Sequence, residues 1–334
     1  RYKCLSSECI NKPQVTIGQY RDSTIQELFQ NPTTDDVYSN IVKGQNPNNF
    51  MYCEKKLYEF DGIRWTETDE EVLYKLVKNN VKPNLRQMLE RLMGEKVQAD
   101  LSANKDTSKM LEKLYETALK GYGYISKHKH TLDIVKATKT LYKNEGFMKK
   151  VDKNPYILGA NNCIIDLKTH SLIEEVKNEE NWITKSTGYD FFTSGNDYDP
   201  EENRRFLKFI EQIYPIEEER EFAKKWYGYC LLGKSPEKYM CFLTDVRKGY
   251  NGKSSMINLL YSTIGEDYAI LNAKKEVLYK SEKTDSKNSH DAGLTEFEGK
   301  RVAFFEELDD TKVMDEQWVK QMVGGGTHVS ARGV

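Results

Sequence analysis

The sequence predicts an α/β fold in which a mainly helical α+β region precedes a strand–loop–helix unit. Three observations predict it. Between residues 69 and 119, apolar side chains recur at helical spacing in three successive stretches. The apolar run Tyr239-Met240-Cys241-Phe242-Leu243 leads into a glycine-bearing stretch, residues 245–255 (DVRKGYNGKSS), and then into a helical pattern from Met256. A second apolar run, Val302-Ala303-Phe304-Phe305, ends in two adjacent carboxylates, Glu306 and Glu307.

With 334 residues the chain is long enough for two or three domains of about 100 to 200 residues each. Lys and Arg number 50 and Asp and Glu 52, so there is no global basic footprint, and any nucleic-acid contact must come from local patches or from several copies around a pore. Six scattered cysteines form no secreted-type framework, which fits an intracellular protein. No apolar run approaches the ~20 residues needed to cross a bilayer, so no membrane partner is expected. The chain does not begin with Met and shows no signal region, and it reads as a piece of something longer.

Residues 1–56 read as a linker or the remnant of an upstream domain, with loops at Asn31-Pro32 and Asn46-Pro47 and a short amphipathic helix at 23–30. Cys4 and Cys9 lack a second close Cys/His pair, so they read as unmetallated thiols rather than half a zinc site. Residues 57–65 predict a hairpin turning at Asp61-Gly62. Helices follow at 69–78, 84–93 and 107–119, and the basic knot Lys127-His128-Lys129-His130 reads as a solvated helix start, with a nucleic-acid contact as the alternative. Residues 154–173 predict β structure on either side of Lys168-Thr169-His170, with Cys163 as a core thiol rather than a nucleophile. Residues 57–190 thus form a helical/α+β domain. After a polar connector at 190–200, helices at 201–213 and 218–232 make residues 191–236 a helical collar.

Residues 237–334 carry the chemistry. A strand running into a small-residue loop and then a helix can wrap phosphate, because the loop amides turn inward and the first helical turn presents unpaired donors with a favourable dipole. Gly249, Tyr250, Asn251, Gly252, Lys253, Ser254 and Ser255 form that loop; Lys253 would reach the β- and γ-phosphates of ATP and the Ser254 hydroxyl would ligate Mg²⁺. The usual pattern has glycine six positions before the lysine, where Arg247 stands, so the match is to the shorter G-x-N-G-K-S core. A strand-end carboxylate beside such a loop can hold Mg²⁺ while its neighbour orients the attacking water; Glu306 is assigned to the metal and Glu307 to the water. Asp309 and Asp310 read as the start of a helix through Trp318. Gly324-Gly325-Gly326 then reads as a turn into a hairpin arm.

The G-x-N-G-K-S loop, the apolar strand ending in Glu-Glu, and Lys320 followed by a Gly-Gly turn and an x-Ala-Arg arm together resemble the superfamily 3 helicases. Within these the chain most resembles the helicase part of the primase–helicases of nucleocytoplasmic large DNA viruses, the poxvirus-type NTPase/primases, and related phage and plasmid primases. Tyr58-x-Phe60-x-Gly62-x-x-Trp65, Asn161 to Leu167 and Tyr227 to Gly233 extend the resemblance upstream. The resemblance implies an AAA+-type ATPase domain, truncated here, that assembles as a homo-oligomeric ring, usually a hexamer. It implies translocation on single-stranded or forked DNA with other replication proteins, at a viral replication site in the host cytoplasm. It makes Glu306, Glu307 and Lys253 the catalytic set and Lys320, His328 and Arg332 the candidates for DNA contact, with plain hairpin structure as the alternative for the last two. Gly326 stands where viral relatives commonly have Asp, a second departure after Arg247. The family's sensor asparagine and arginine finger would lie beyond Val334, so poor hydrolysis is expected of this piece alone. The competing expectation is a nucleotide-binding assembly module that does not unwind DNA.

Overall fold

The computed structural model describes residues 22–192, 199–244, 252–280 and 295–324. The chain divides into two compact units, Arg1–Asp61 with Trp65–Lys149, and Gly62–Arg64 with Lys150–Val334. Both combine helices and strands, so the architecture is mixed α/β.

In the first unit, α1 (Asp22–Gln30) and α2 (Asp35–Gln45) lead into an antiparallel sheet of β1 (Phe50–Cys53), β2 (Lys56–Phe60) and β3 (Trp65–Thr68). The hairpin expected at Asp61-Gly62 is present: Phe60 pairs with Trp65, and Gly62 has φ +112°, a value that glycine adopts without strain. Residues 35–45 and 50–53, expected as linker, instead form a helix and a strand. The signal is the stripe Val37, Tyr38, Ile41 and Val42, all buried, which polar flanks obscure in the sequence. Asp35 and Asp36 in the first turn of α2 suit its dipole.

Helix α3 (Glu71–Leu76) passes through a π-helical stretch (Val77–Val81) into α4 (Lys82–Leu101), so the two helices expected at 69–78 and 84–93 are one continuous rod. Pro83 explains the widened turn. Its ring cannot donate a hydrogen bond and crowds the preceding turn; the Lys82 amide bonding back to the Val77 carbonyl relaxes the helix just before it. Helix α5 (Lys105–Ser126), capped by Asn104 accepting from the Thr107 amide at 3.2 Å, folds back on α4. Helix α6 (His128–Leu141) begins at the basic knot, where His128 and Lys129 are exposed. The short α7 (Phe147–Lys150) places Phe147 against Tyr58 and Trp65, with ring centroids 5.0 and 5.5 Å away. The main core joins Val37, Tyr38 and Ile41 to Leu85, Leu92, Leu111, Ala118 and Ile134.

Tyr38 is fully buried, and its hydroxyl donates to the Pro32 carbonyl at 2.7 Å. A β-carbon at Gly121, on α5, would lie 2.4 Å from that oxygen. Gly121→Ala should therefore lower stability by about 1–2 kcal/mol, since overpacking outweighs the gain in helix propensity. In urea unfolding, the same change in a Tyr38→Phe background should cost measurably less, because the clashing oxygen is gone.

The second unit opens with an antiparallel meander of β4 (Ile157–Gly159), β5 (Ile164–Asp166) and β6 (Ser171–Leu172), in the region expected as β structure. Cys163 is half-buried and its thiol is pushed up chiefly by burial, which suits a packing role. Helices α8 (Pro200–Ile213) and α9 (Glu217–Cys230) lie close to their expected bounds, α8 starting at Pro200 with Asp199 as its cap. Most of the connector expected at 190–200 lies outside the described residues. Then come α10 (Lys253–Ile264), β7 (Ala269–Ile270), β8 (Val302–Ala303) and α11 (Glu316–Val323).

Two expectations fail in this part. Residues 239–243 join no ladder among the described residues, and Tyr239 and Phe242 are 65% and 57% exposed, so the apolar run is not a core strand. Asp309 and Asp310 do not start the last helix. Asp309 closes a turn by accepting from the Thr311 amide (3.0 Å) and hydroxyl (2.6 Å), and it is Asp315 that caps α11 by accepting from the Trp318 amide at 3.0 Å.

Candidate functional site

Helix α10 begins at Lys253, directly after Gly252 in the left-handed region (φ +81°). A side chain there would be strained and would also meet Ile213 Cδ1 at 2.1 Å, so the end of α8 holds this turn closed. Among the described residues no side chain caps α10, and Ser254 and Ser255 in its first turn are exposed. The first turn of a helix has amides without intrahelical acceptors and carries the positive end of the dipole.

The opposite face of α10 fixes its direction. Leu260 and Ile264 pack with Tyr268, Ala269, Val302 and Phe304. The connection through residues 265–268 is short and leads straight into β7. β8 pairs with β7 in parallel, Ala269 opposite Val302 and Ile270 opposite Ala303. Two further bonds extend the pairing, Phe304 N–H to Ile270 O (2.9 Å) and Ala273 N–H to Phe304 O (2.8 Å). Glu306 and Glu307 follow shortly after the last paired residue of β8, Ala303. The strand β7 with which β8 pairs is too short, at two paired residues, to show as an apolar run.

Glu306 and Glu307 are exposed, and neither carboxylate is in an ion pair among the described residues. Glu307 has φ +49°, a backbone conformation that side chains disfavour, and its carbonyl accepts from Lys275 Nζ at 2.8 Å. No group of three or more His, Cys, Asp or Glu among the described residues could cage a metal. An exposed carboxylate and an exposed serine hydroxyl are ligand types that suit Mg²⁺ carried in on phosphate oxygens, an ion that keeps several waters and takes few protein ligands.

The strand carrying the acidic pair is anchored by residues that carry no motif in the sequence. Arg301, just before β8, donates from its two terminal nitrogens to the Leu231 and Ile157 carbonyls and lies 4.4 Å above the Tyr268 ring. Its own amide bonds the Tyr268 carbonyl at 2.7 Å. The Tyr268 hydroxyl accepts from the Gly159 amide (3.0 Å) and donates to the Lys185 carbonyl (3.1 Å); burial pushes this phenol up to about 12. Lys185 Nζ donates to the Gly299 carbonyl, and burial lowers its pKa. A lone half-buried arginine has no periodicity or spacing to betray it.

The remaining expected positions separate. Lys320 is exposed on α11, 3.4 Å from Glu316. Gly249, Tyr250 and Asn251, with Arg247, lie outside the described residues, as do His328, Arg332, Gly326 and the cysteines at 4 and 9. Among the described residues no helix is long and apolar enough to cross a membrane.

The protein named "Putative helicase L207/L206" of Acanthamoeba polyphaga mimivirus is 24% identical over 283 residues, 82% of this chain and 27% of that protein. The protein named "Putative primase C962R" of an African swine fever virus isolate is 21% identical over 201 residues, 60% of this chain and 20% of that protein. The chain therefore spans about a quarter or less of the length of these distant relatives. The family described as "D5 N terminal like" matches residues 39–215, more than half of the chain, and the chain belongs to that family.

Proposed function

We propose that the chain is part of an ATP-dependent, ring-forming enzyme that translocates on single-stranded DNA during viral genome replication, with residues 237–334 as the first part of an AAA+-type ATPase domain of superfamily 3. The observation that carries this reading is the left-handed Gly252 leading into Lys253 and Ser254 at the start of α10, followed along the chain by the strand β8 that runs on into Glu306-Glu307. The relatives named as helicase and primase support it.

In this reading Gly252 lets the backbone approach a triphosphate, the first-turn amides of α10 receive its oxygens, and Lys253 holds the β- and γ-phosphates. Ser254 and Glu306 hold the cation, which when bound neutralises charge on the phosphates. Glu307 orients the attacking water. Lys320, His328 and Arg332 are proposed DNA contacts, and the collar of residues 191–236 is proposed to help hold neighbouring subunits in a hexamer-type ring. The unpaired run at 239–243 favours one alternative, a nucleotide-binding assembly module of a replication complex without unwinding activity.

The test is DNA-stimulated ATP hydrolysis by the full-length protein. Lys253→Ala and Glu307→Gln should each lower the rate by about 10²-fold or more, as expected for losing one preorganised group in a water-excluded site. Undiminished hydrolysis in both variants overturns the reading; normal replication with Glu307→Gln favours the assembly module.

A further inference from the structure

The turn Lys168-Thr169-His170 has no role in the nucleotide reading, yet the second unit builds a charged feature around it. Lys168 Nζ lies 4.0 Å and Lys234 Nζ 4.3 Å from the centroid of one ring, that of Tyr156. Both lysines are exposed, and among the described residues no carboxylate lies within ion-pairing distance of either ammonium. The acidic residue closest in sequence, Asp166, is already engaged: it accepts from the Lys168 amide at 2.7 Å and the Thr169 amide at 3.4 Å. Glu237, on the loop that follows Lys234, is exposed.

Two cations brought to one aromatic ring repel each other, and a neutralising carboxylate is the usual remedy. Among the described residues no such carboxylate is present, while both loops are fixed. Asp166 sets the turn that presents Lys168, and the Thr169 and Ser171 hydroxyls close it at 2.7 Å, with His170 in the left-handed region (φ +56°). On the other side, Gly233 donates its amide to the Pro155 carbonyl at 2.8 Å, and a β-carbon there would lie 3.0 Å from Pro155 Cα. Tyr229 bonds Ser235 at 3.0 Å and accepts from the Glu237 amide at 3.2 Å, which orders the loop after Lys234. Arg301 ties the roots of both loops together through the Ile157 and Leu231 carbonyls. The lysines occupy the surroundings of the ring, so the site suits an anion rather than a stacking base. Consistent with that field, the neighbouring Lys234 and Lys168 ammonium groups hold the Tyr156 pKa below the usual tyrosine value.

We propose that Lys168, Tyr156 and Lys234 form a phosphodiester-binding site for single-stranded nucleic acid, outside the nucleotide site. This rests on the reading of the chain as one that acts on DNA, and it adds a binding surface on the β4–β6 meander.

The test is equilibrium binding of a fluorescent oligothymidylate to the full chain, without nucleotide, over a range of salt. The Lys168→Ala/Lys234→Ala variant should bind on the order of ten-fold more weakly, and its log–log salt slope should shrink by about 0.7 for each phosphate that is no longer neutralised. The Lys168→Arg/Lys234→Arg variant should bind like the wild type, which separates charge from folding. Unchanged affinity and slope in the alanine variant overturn the site. Displacement of the oligonucleotide by inorganic phosphate at matched ionic strength assigns the lysines to free phosphate and also overturns it. DNA-stimulated ATP hydrolysis, read separately, tests the broader reading: an alanine variant with normal oligonucleotide binding and intact hydrolysis removes only this site, whereas weakened binding in a protein that never hydrolyses ATP removes only the ATPase.

Discussion

Gly265→Ala is expected to destabilise the second unit by about 3 kcal/mol or more, seen as a lower urea midpoint for loss of its structure. Gly265 ends α10 with φ +84° while its amide still bonds the Tyr261 carbonyl at 2.8 Å. An alanine in that essentially glycine-only region costs about 1–3 kcal/mol of backbone energy alone. The added β-carbon would also lie 2.3 Å from the Thr187 carbonyl oxygen and 2.7 Å from its carbon. Those are backbone atoms, so no rotamer change relieves the clash, and overpacking of this kind adds about 1–3 kcal/mol. The Thr187 amide is itself bonded to the Gly159 carbonyl at 2.8 Å, which holds the obstructing segment in place. By contrast, Gly228→Ala on α9, where nothing lies within 4 Å of the new atom, should be neutral or slightly stabilising in the same assay.

Arg301→Ala should be comparably damaging. Removing the guanidinium strands two inward carbonyls, those of Leu231 and Ile157, and uncovers the Tyr268 ring. Hydrogen bonds to a charged donor contribute about 1.5–3 kcal/mol each, so a loss of about 3 kcal/mol or more is expected. Arg301→Lys should recover less than half of it, because a single ammonium cannot fork to two carbonyls as a planar guanidinium does. The effect should reach function as well as stability: Arg301 stands immediately before β8, and β8 delivers Glu306 and Glu307. Variants at this position should therefore lose hydrolysis even where they remain folded by circular dichroism.

These two residues also mark the limit of what the sequence makes legible. The helices around Leu111, Ala118 and Ile210 announce themselves by spacing, and the hairpin at Asp61-Gly62 by turn chemistry, because each rule is local. The stripe on α2 is harder to see, since Asn, Asp and Thr flank it and the apolar positions are few. Strand β7 is hidden for a different reason: two residues gain their identity only by pairing with Val302 and Ala303, more than thirty positions later. The run at 239–243 misleads in the other direction, since its apolar composition suggests burial that Tyr239 and Phe242 do not have. At the candidate site, the Gly252-Lys253-Ser254 turn and the Glu306-Glu307 pair are legible as motifs. The β7–β8 pairing ahead of the acidic pair, and the Arg301–Tyr268 anchor, arise from long-range packing that no spacing encodes. The Lys168 and Lys234 pair is likewise separated by sixty-odd residues and meets only at Tyr156.

If the start of α10 receives a triphosphate, calorimetric titration of the chain with a non-hydrolysable ATP analogue should reveal it. Binding should be saturable and dependent on Mg²⁺, weakened at least about ten-fold by Lys253→Ala, and nearly unchanged in Glu307→Gln, whose role is to orient water rather than to hold phosphate. Absence of binding by the wild-type chain, or equal binding by wild type and Lys253→Ala, would contradict the account.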